Sequence, residues 1–154
     1  MTAGAPRSDL ELVQWALGNV ELGVPVDLSR MFEQEGIIER LGTTLAPDAS
    51  IEFATPYGGF MGEMAGPFQG LDGLQRAWRE WTAPWEAWTF KGSEWIDVGE
   101  GRVLLLGHST GRFRGSGAEM DAPVAALYTV EGGMIVRIQH FLDQDQARRA
   151  AGLA

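Results

Sequence analysis

The first apolar positions of the chain recur every three or four residues, which is the period of a helix. A Ser-Asp-Leu-Glu capping box at residues 8–11 predicts that this helix begins at Asp9. Two more helical stretches are expected, at residues 27–44 and 71–83, the last ending before a proline. The main apolar stripe of the first helix consists of Leu10, Val13, Leu17 and Val20.

The second half of the chain shows the alternation of strands, interrupted by glycine-rich turns. Helices followed by strands in hairpins predict an α+β fold. A twisted antiparallel meander would curl around the helices and leave a cone-shaped hollow. We interpret residues 1–8 as a flexible tail and residues 9–154 as a single domain. The predicted elements are a short strand at 50–55, a glycine-rich loop at 56–70, strands at about 86–97, 102–114, 118–131 and 134–142, and a last short helix capped by Asp143.

Counting from the last hairpin places one of the two histidines on an apolar face. The Gly-Gly turn at residues 132–133 is a two-residue hairpin signal that pairs Glu131 with Met134. Because the side-chain period of a strand is two, His140 then falls opposite Ala125 and faces the interior.

The preceding turn leaves two registers open. If residues 116–117 form a two-residue loop, His108 also lies opposite Ala125, and Arg112 lies opposite Asp121. The two histidines would then share one row across three strands, with a small alanine between them. A three-residue loop would instead turn His108 outward. We favour the first register, in which Arg112 and Asp121 form a cross-strand ion pair at the cavity rim.

The composition is that of a soluble globular protein, and it excludes several classes of partner and of chemistry. Of 154 residues, 45% are hydrophobic and 21% are charged. A net charge of −9 argues against nucleic acid and anionic membranes as partners. The absence of cysteine excludes disulfides, thiolate catalysis and cysteine-ligated metals. With no apolar run of membrane-spanning length and no signal peptide, a cytoplasmic location is expected. The six tryptophans suit an ordinary core or the wall of a ligand cavity.

Several segments carry a resemblance to a known family. They are LELVQWALGNVELG, LAPDASIEF, FQGLDGLQRAW and VEGGMIVRIQHFLDQDQARRAAGL. This layout resembles the SnoaL-like and ketosteroid-isomerase-like families of the nuclear transport factor 2 superfamily. The resemblance implies a cone-shaped, cystatin-like domain whose curved antiparallel sheet wraps around the N-terminal helices. It also implies a homodimer with one apolar cavity per subunit.

The resemblance extends unevenly to single residues. In SnoaL-type polyketide cyclases and limonene-type epoxide hydrolases, an acid/base aspartate stands seven residues after the hairpin glycine, and His140 takes that place here. His108 falls near an arginine of the epoxide hydrolases. Thr110 replaces their nearby aspartate and cannot act as a carboxylate, so the resemblance does not extend to their hydrolysis. Three functional positions of the ketosteroid isomerases fall on Trp15, Phe53 and Ala125, which implies a pocket lined by rings rather than that enzyme's chemistry.

We therefore expect a protein that binds a small hydrophobic or polycyclic molecule, with no cofactor and no metal site. As an enzyme it would catalyse cyclisation, isomerisation or dehydration, with His140 accepting a proton and His108 donating to a developing oxyanion. A non-catalytic ligand carrier and a protein-interaction scaffold are the alternatives. The predicted substrate-binding residues are Trp15, Phe53, Trp78, Thr110, Arg112, Asp121, Ala125 and Ile138.

Overall fold

The computed structural model of the chain describes residues 8–18, 20–53 and 68–153, with the backbone alone at position 53. Residues 1–7 of the expected tail and 56–67 of the expected loop lie outside this part. The helices are α1 (Asp9–Ala16), a 3₁₀ helix (Leu28–Glu33), α2 (Ile37–Thr44), α3 (Gly70–Thr82) and α4 (Gln144–Ala150). The strands are β1 (Pro25–Asp27), β2 (Leu45–Phe53), β3 (Phe68–Gln69), β4 (Trp85–Gly99), β5 (Arg102–Phe113), β6 (Glu119–Glu131) and β7 (Met134–Phe141).

The described strands form one sheet in the order β1-β4-β5-β6-β7-β2-β3. Neighbouring strands are antiparallel except β2 and β7, which pair in parallel. The predicted α+β fold, with a curved, largely antiparallel sheet wrapped around the N-terminal helices, is confirmed. The last hairpin begins as expected, with Glu131 paired to Met134.

The N-terminal helices are shorter than predicted. Ser8 caps α1 as expected, because its side chain accepts a hydrogen bond from the backbone N–H of Glu11. The helix ends at Ala16, soon followed by Gly18 in the left-handed conformation. The helical stretch expected at 27–44 is present but is divided into two helices. Left-handed Gly36, with φ of 79°, separates the 3₁₀ helix from α2.

Each face of the sheet is packed against different elements. The inner face holds the main core with α1, α2 and α3. The outer face carries a smaller apolar cluster that α4 covers with Ala147 and Ala151. Asp143 caps α4 as predicted, since its carboxylate accepts from the N–H groups of Asp145 and Gln146. The outer cluster is completed by Leu104, Leu106, Ala125, Leu127 and Phe141.

Bulges and glycines shape the inner face. Three register shifts interrupt the pairing of β4 with β5, and a single extra residue, Val136, interrupts the pairing of β6 with β7. Such bulges bend and twist a strand, which gives the sheet its curvature. On β5, Gly111 makes room for aromatic rings of β4, because a side chain there would meet Trp85 and Trp88. The bulges therefore bend the sheet, and Gly111 lets the rings of β4 pack closely against β5.

Within the described residues, no helix is both long and apolar enough to cross a lipid bilayer.

Candidate functional site

A cavity of about 80 Å³ opens between the inner face of the sheet, α3 and the N-terminal segment. This space exceeds several-fold the room that one water molecule needs. Two tryptophans of α3, Trp78 and Trp81, form one wall, and the Nε1–H of Trp78 donates to the backbone oxygen of Leu28 at 2.7 Å. That bond ties the 3₁₀ helix to α3. The N-terminal segment contributes Leu17, Val20, Val26, Leu28, Met31 and Gln34, and the sheet contributes Phe90, Leu105, Ser109, Val124, Ala125, Ala126, Tyr128 and His140.

The lining is apolar and uncharged. Among the described residues that form it, no side chain is Asp, Glu, Lys or Arg. The polar side chains, apart from the two tryptophans, are Gln34, Ser109, Tyr128 and His140. Gln34 is exposed, whereas the other three are buried. A ligand that carries a net charge would lose its hydration here without an ionic partner, so the cavity favours neutral molecules.

His140 reaches the cavity because of the bulge at Val136. The extra residue shifts the pairing by one position, so that His140 lies opposite Ala126 rather than Ala125. Its ring centre lies 5.7 Å from that of Trp78 and 5.3 Å from that of Trp81. The predicted inward orientation of His140 therefore holds, although the predicted partner is wrong.

Burial determines the charge of His140. Only 7% of the residue is exposed, and desolvation lowers the pKa of its imidazole from the ordinary 6.5 to about 4. The ring is therefore neutral at pH 7, with one nitrogen able to accept a proton or a hydrogen bond.

Tyr128 is the second titratable group of the cavity, and the sequence analysis missed it. It lies opposite Ile138, which makes it a diagonal neighbour of His140 on the inner face. Burial raises the pKa of its phenol, so the hydroxyl keeps its proton and can donate a hydrogen bond. The alternation of β6 places Tyr128 on the face opposite to that of Ala125. The sequence pattern was interpreted with the face of Ala125 turned inward, so Tyr128 was expected to point away from the cavity.

Ser109 is the third buried polar residue of the wall and was also missed. It lies opposite Phe90 and Ala122, with 1% of its surface exposed. Its Oγ has no hydrogen-bond partner among the residues that the structure describes. Sequence reasoning assigned the inner face of β5 to His108 and Thr110, so the residue between them was passed over.

His108, predicted to join His140 in the cavity, lies on the opposite face of the sheet. The turn from β5 to β6 has four residues, so His108 pairs with Pro123 instead of Ala125. The register of β5 against β6 thus differs from the prediction by two residues, and because this number is even, His108 stays on the face of Ala125. The bulge puts His140 on the other face. His108 is 48% exposed in its side chain and contacts Asp121 with an Nε2–Oδ1 distance of 3.0 Å.

The predicted pocket residues Thr110, Arg112 and Asp121 lie outside the cavity for the same reason. All three are exposed on the outer face of the sheet. The predicted pair of Arg112 with Asp121 is wrong, because Arg112 lies opposite Glu119 and contacts its carboxylate at 3.3 Å.

The remaining predicted residues have mixed outcomes. Trp78 lines the cavity, and Ala125 borders it although its side chain packs in the outer cluster. Trp15 is half-buried and Ile138 is buried in the core, and neither belongs to the lining. The backbone of Phe53 pairs with that of His140, and its side chain lies outside the described part.

Comparison with known proteins identifies the architecture. A family model described as a SnoaL-like domain matches residues 29–138. No curated protein matches the sequence significantly. Among solved structures, a proposed SnoaL-like polyketide cyclase from a Jannaschia species is 17% identical, with a TM-score of 0.62 over 98% of this chain and 99% of that one.

Two further structures are similar at comparable distance. An NTF2-like protein of unknown function from Burkholderia pseudomallei is 15% identical, with a TM-score of 0.62 over 93% of this chain and 97% of that one. A proposed isomerase from Rhodopseudomonas palustris is 16% identical, with a TM-score of 0.54 over 82% and 91%. Such low identities establish a shared fold and no shared activity.

Proposed function

The chain belongs to the SnoaL-like domain family, and from this membership and its cavity we propose that it binds one neutral, largely apolar small molecule and acts on it by cofactor-free acid–base chemistry. One observation carries the proposal. A buried, neutral imidazole, that of His140, stands in the uncharged wall of a cavity beside two tryptophan rings. A buried polar group in a ring-walled cavity is a usual feature of a ligand site.

The chemistry that fits is proton transfer next to a carbonyl group. His140 would take a proton from the carbon beside the ligand's carbonyl, which leaves an imidazolium and an enolate. The hydroxyl of Tyr128, which keeps its proton because its pKa is raised, would donate a hydrogen bond to the enolate oxygen. Where a C=C bond is conjugated with the enolate, return of the proton from the imidazolium to the far carbon of that bond gives an isomer. Attack of the enolate carbon on a second carbonyl closes a ring, and the alkoxide formed there takes the proton back from the imidazolium. Tyr128 takes the role that the sequence assigned to His108.

A non-catalytic carrier is the second candidate, and the low pKa of His140 favours it. A base with a pKa of about 4 binds a proton weakly at pH 7, whereas efficient general bases have pKa values near the working pH. In a carrier, the same imidazole would only accept a hydrogen bond from the ligand. A protein-interaction scaffold is less favoured, because the inner face encloses a cavity beside the main core.

Exchange of α-protons separates these functions without knowledge of the natural substrate. We would incubate the protein with 1-tetralone or acetophenone in D₂O at pH 7 and follow the α-proton signals by NMR. An enzyme accelerates the exchange, and His140→Gln should slow the catalysed rate about 10²-fold or more, because general acid–base groups contribute that much. His108→Gln, on the outer face, is the matched control and should leave the rate unchanged.

Each result has a defined meaning. Binding of the ketones without catalysed exchange supports a carrier. Exchange that survives His140→Gln contradicts the role of this residue. If neither ketone binds at millimolar concentration, the proposal of a site for neutral aromatic ketones is wrong.

A further inference from the structure

Ser109 belongs to the cavity lining and carries a buried hydroxyl that the proposed chemistry does not use. The residue is 1% exposed, and its Oγ finds no hydrogen-bond partner within the described part of the chain. Its opposite neighbours on β4 and β6 are Phe90 and Ala122, whose side chains offer no polar atom. A buried hydroxyl without a partner destabilises a fold, whereas an apolar residue of the same size would not.

The surroundings restrict what can meet this hydroxyl. No charged side chain lines the described cavity, so a carboxylate or phosphate near Ser109 would have no counter-ion. A neutral carbonyl or hydroxyl oxygen needs only one hydrogen bond to offset its lost hydration. The aromatic wall formed by Trp78, Trp81 and Phe90 suits the apolar body of such a molecule.

Ser109 lies at a distance from His140. Their partners on β6, Ala122 and Ala126, are four positions apart, which corresponds to about 13 Å along a strand. Apart from the exposed Gln34, the polar residues of the described wall are therefore at two buried positions, one at His140 and Tyr128 and another at Ser109. The tryptophans of α3 lie against His140.

We propose that Ser109 is a specificity-determining residue, which selects neutral ligands with a carbonyl or hydroxyl oxygen at the end remote from the group that faces His140. This inference rests on the proposed function, because it takes the cavity to be the ligand site. It adds a second position at which the protein recognises the ligand. The ligand class is then a neutral aromatic or alicyclic molecule that carries an oxygen atom at each of its two ends.

Matched ligands that differ by one remote oxygen test the proposal. Isothermal titration calorimetry would compare 6-hydroxy-1-tetralone with 1-tetralone, and 4-hydroxyacetophenone with acetophenone. The protein should bind the hydroxylated member of a pair about 3–10-fold more tightly, the usual effect of one hydrogen bond. The anion 4-acetylbenzoate should bind at least about 10-fold more weakly than acetophenone, because the cavity has no cationic partner.

The variant Ser109→Ala should abolish this preference, so that both members of each pair bind equally. Thr110→Ala is the matched control, since Thr110 carries a hydroxyl on the neighbouring residue but faces outward, and it should keep the preference. In the absence of ligand, Ser109→Ala should have an unchanged or higher Tm, because it removes a hydroxyl without a partner. A lower Tm would indicate a structural role and contradict the proposal.

The failure of this inference differs from that of the proposed function. If the ketones bind but Ser109→Ala leaves the preference intact, the role of Ser109 is wrong and the proposed function stands. If no compound of either pair binds to the unmodified protein, both proposals fail.

Discussion

His140 is a polar side chain in an apolar wall, and its burial has a consequence for stability. The folded protein holds the imidazole neutral down to a pKa of about 4, whereas an exposed imidazole in the unfolded chain has the ordinary pKa of 6.5. Above pH 6.5 the ring is neutral in both states, so burial carries no protonation penalty. As the pH falls from 6.5 to 4, only the unfolded chain binds the proton, and the free energy of unfolding decreases.

The expected loss between pH 6.5 and pH 4 is about 3 kcal/mol, since one pKa unit corresponds to about 1.4 kcal/mol. His140→Gln should remove this part of the pH dependence, while His108→Gln should retain it. Urea unfolding of the three proteins at pH 7, 5.5 and 4.5 measures the slopes. Carboxylates contribute to the slope in all three proteins alike, and equal slopes for His140→Gln and the unmodified protein would contradict the burial of a neutral imidazole.

Two glycines of this fold, Gly111 and Gly42, have opposite effects on its stability. Gly111 lies under the tryptophan rings of β4, and an added Cβ would stand 2.6 Å from Cε3 of Trp88. Gly42, in α2, has open space around it. Glycine at 111 is therefore required by packing, whereas glycine at 42 only adds chain entropy to the unfolded state.

Substitution by alanine should change the free energy of unfolding in opposite directions at the two glycines. Gly111→Ala should lower the free energy of unfolding by about 1–3 kcal/mol through overpacking. Gly42→Ala, the control within a helix, should raise it by about 0.5–1 kcal/mol. Urea unfolding at pH 7 measures both changes. A Gly111→Ala protein as stable as the unmodified one would contradict the close approach of the rings.

At the scale of the elements, one extra residue in β7 decides what the cavity contains. Without Val136 as an extra residue, His140 would lie opposite Ala125, whose side chain packs against the outer cluster beneath α4. With the bulge, the imidazole joins Ala126 and Tyr128 on the inner face. The bulge and the four-residue turn before β6 together separate the two histidines, which the predicted register had brought into one row.

At the scale of the whole molecule, the outer face of the sheet has two regions. α4 covers the apolar cluster, and the uncovered part of β4–β6 carries exposed charges of both signs. In a two-fold symmetric assembly such a surface can meet itself with opposite charges paired. The exposed charged or titratable residues there are Lys91, His108, Arg112, Glu119 and Asp121.

The homodimer implied by the family resemblance stays a prediction, and this charged surface is where we expect it to form. Sedimentation velocity at about 50 μM in low salt should show a species of twice the 16.8 kDa chain mass. Because charge pairs at a surface are screened, the dimer should weaken as NaCl is raised from 0.05 to 0.5 M. A single species at the mass of one chain in low salt would contradict the prediction.

The sequence by itself determined the local and pattern-based features of this protein. The capping residues Ser8 and Asp143 marked the starts of α1 and α4, and the glycine pair at 132–133 marked the last hairpin. These signals act within a few residues, so they survive in any fold that the chain adopts. Together with the order of helices and strands they sufficed for the fold class and the family. The inward orientation of His140 was predicted as well, but from a register that the bulge at Val136 replaces.

Only the tertiary structure decided which other side chains meet His140. Strand faces alternate at every residue, so an insertion of one residue reverses the face of everything that follows it. The bulge at Val136 has no strong local signal, because it depends on how a curved sheet packs around the helices. Because the bulge turns His140 to the face of Ala126, Ser109 and Tyr128 line the cavity with it, while His108 and Thr110 lie on the opposite face.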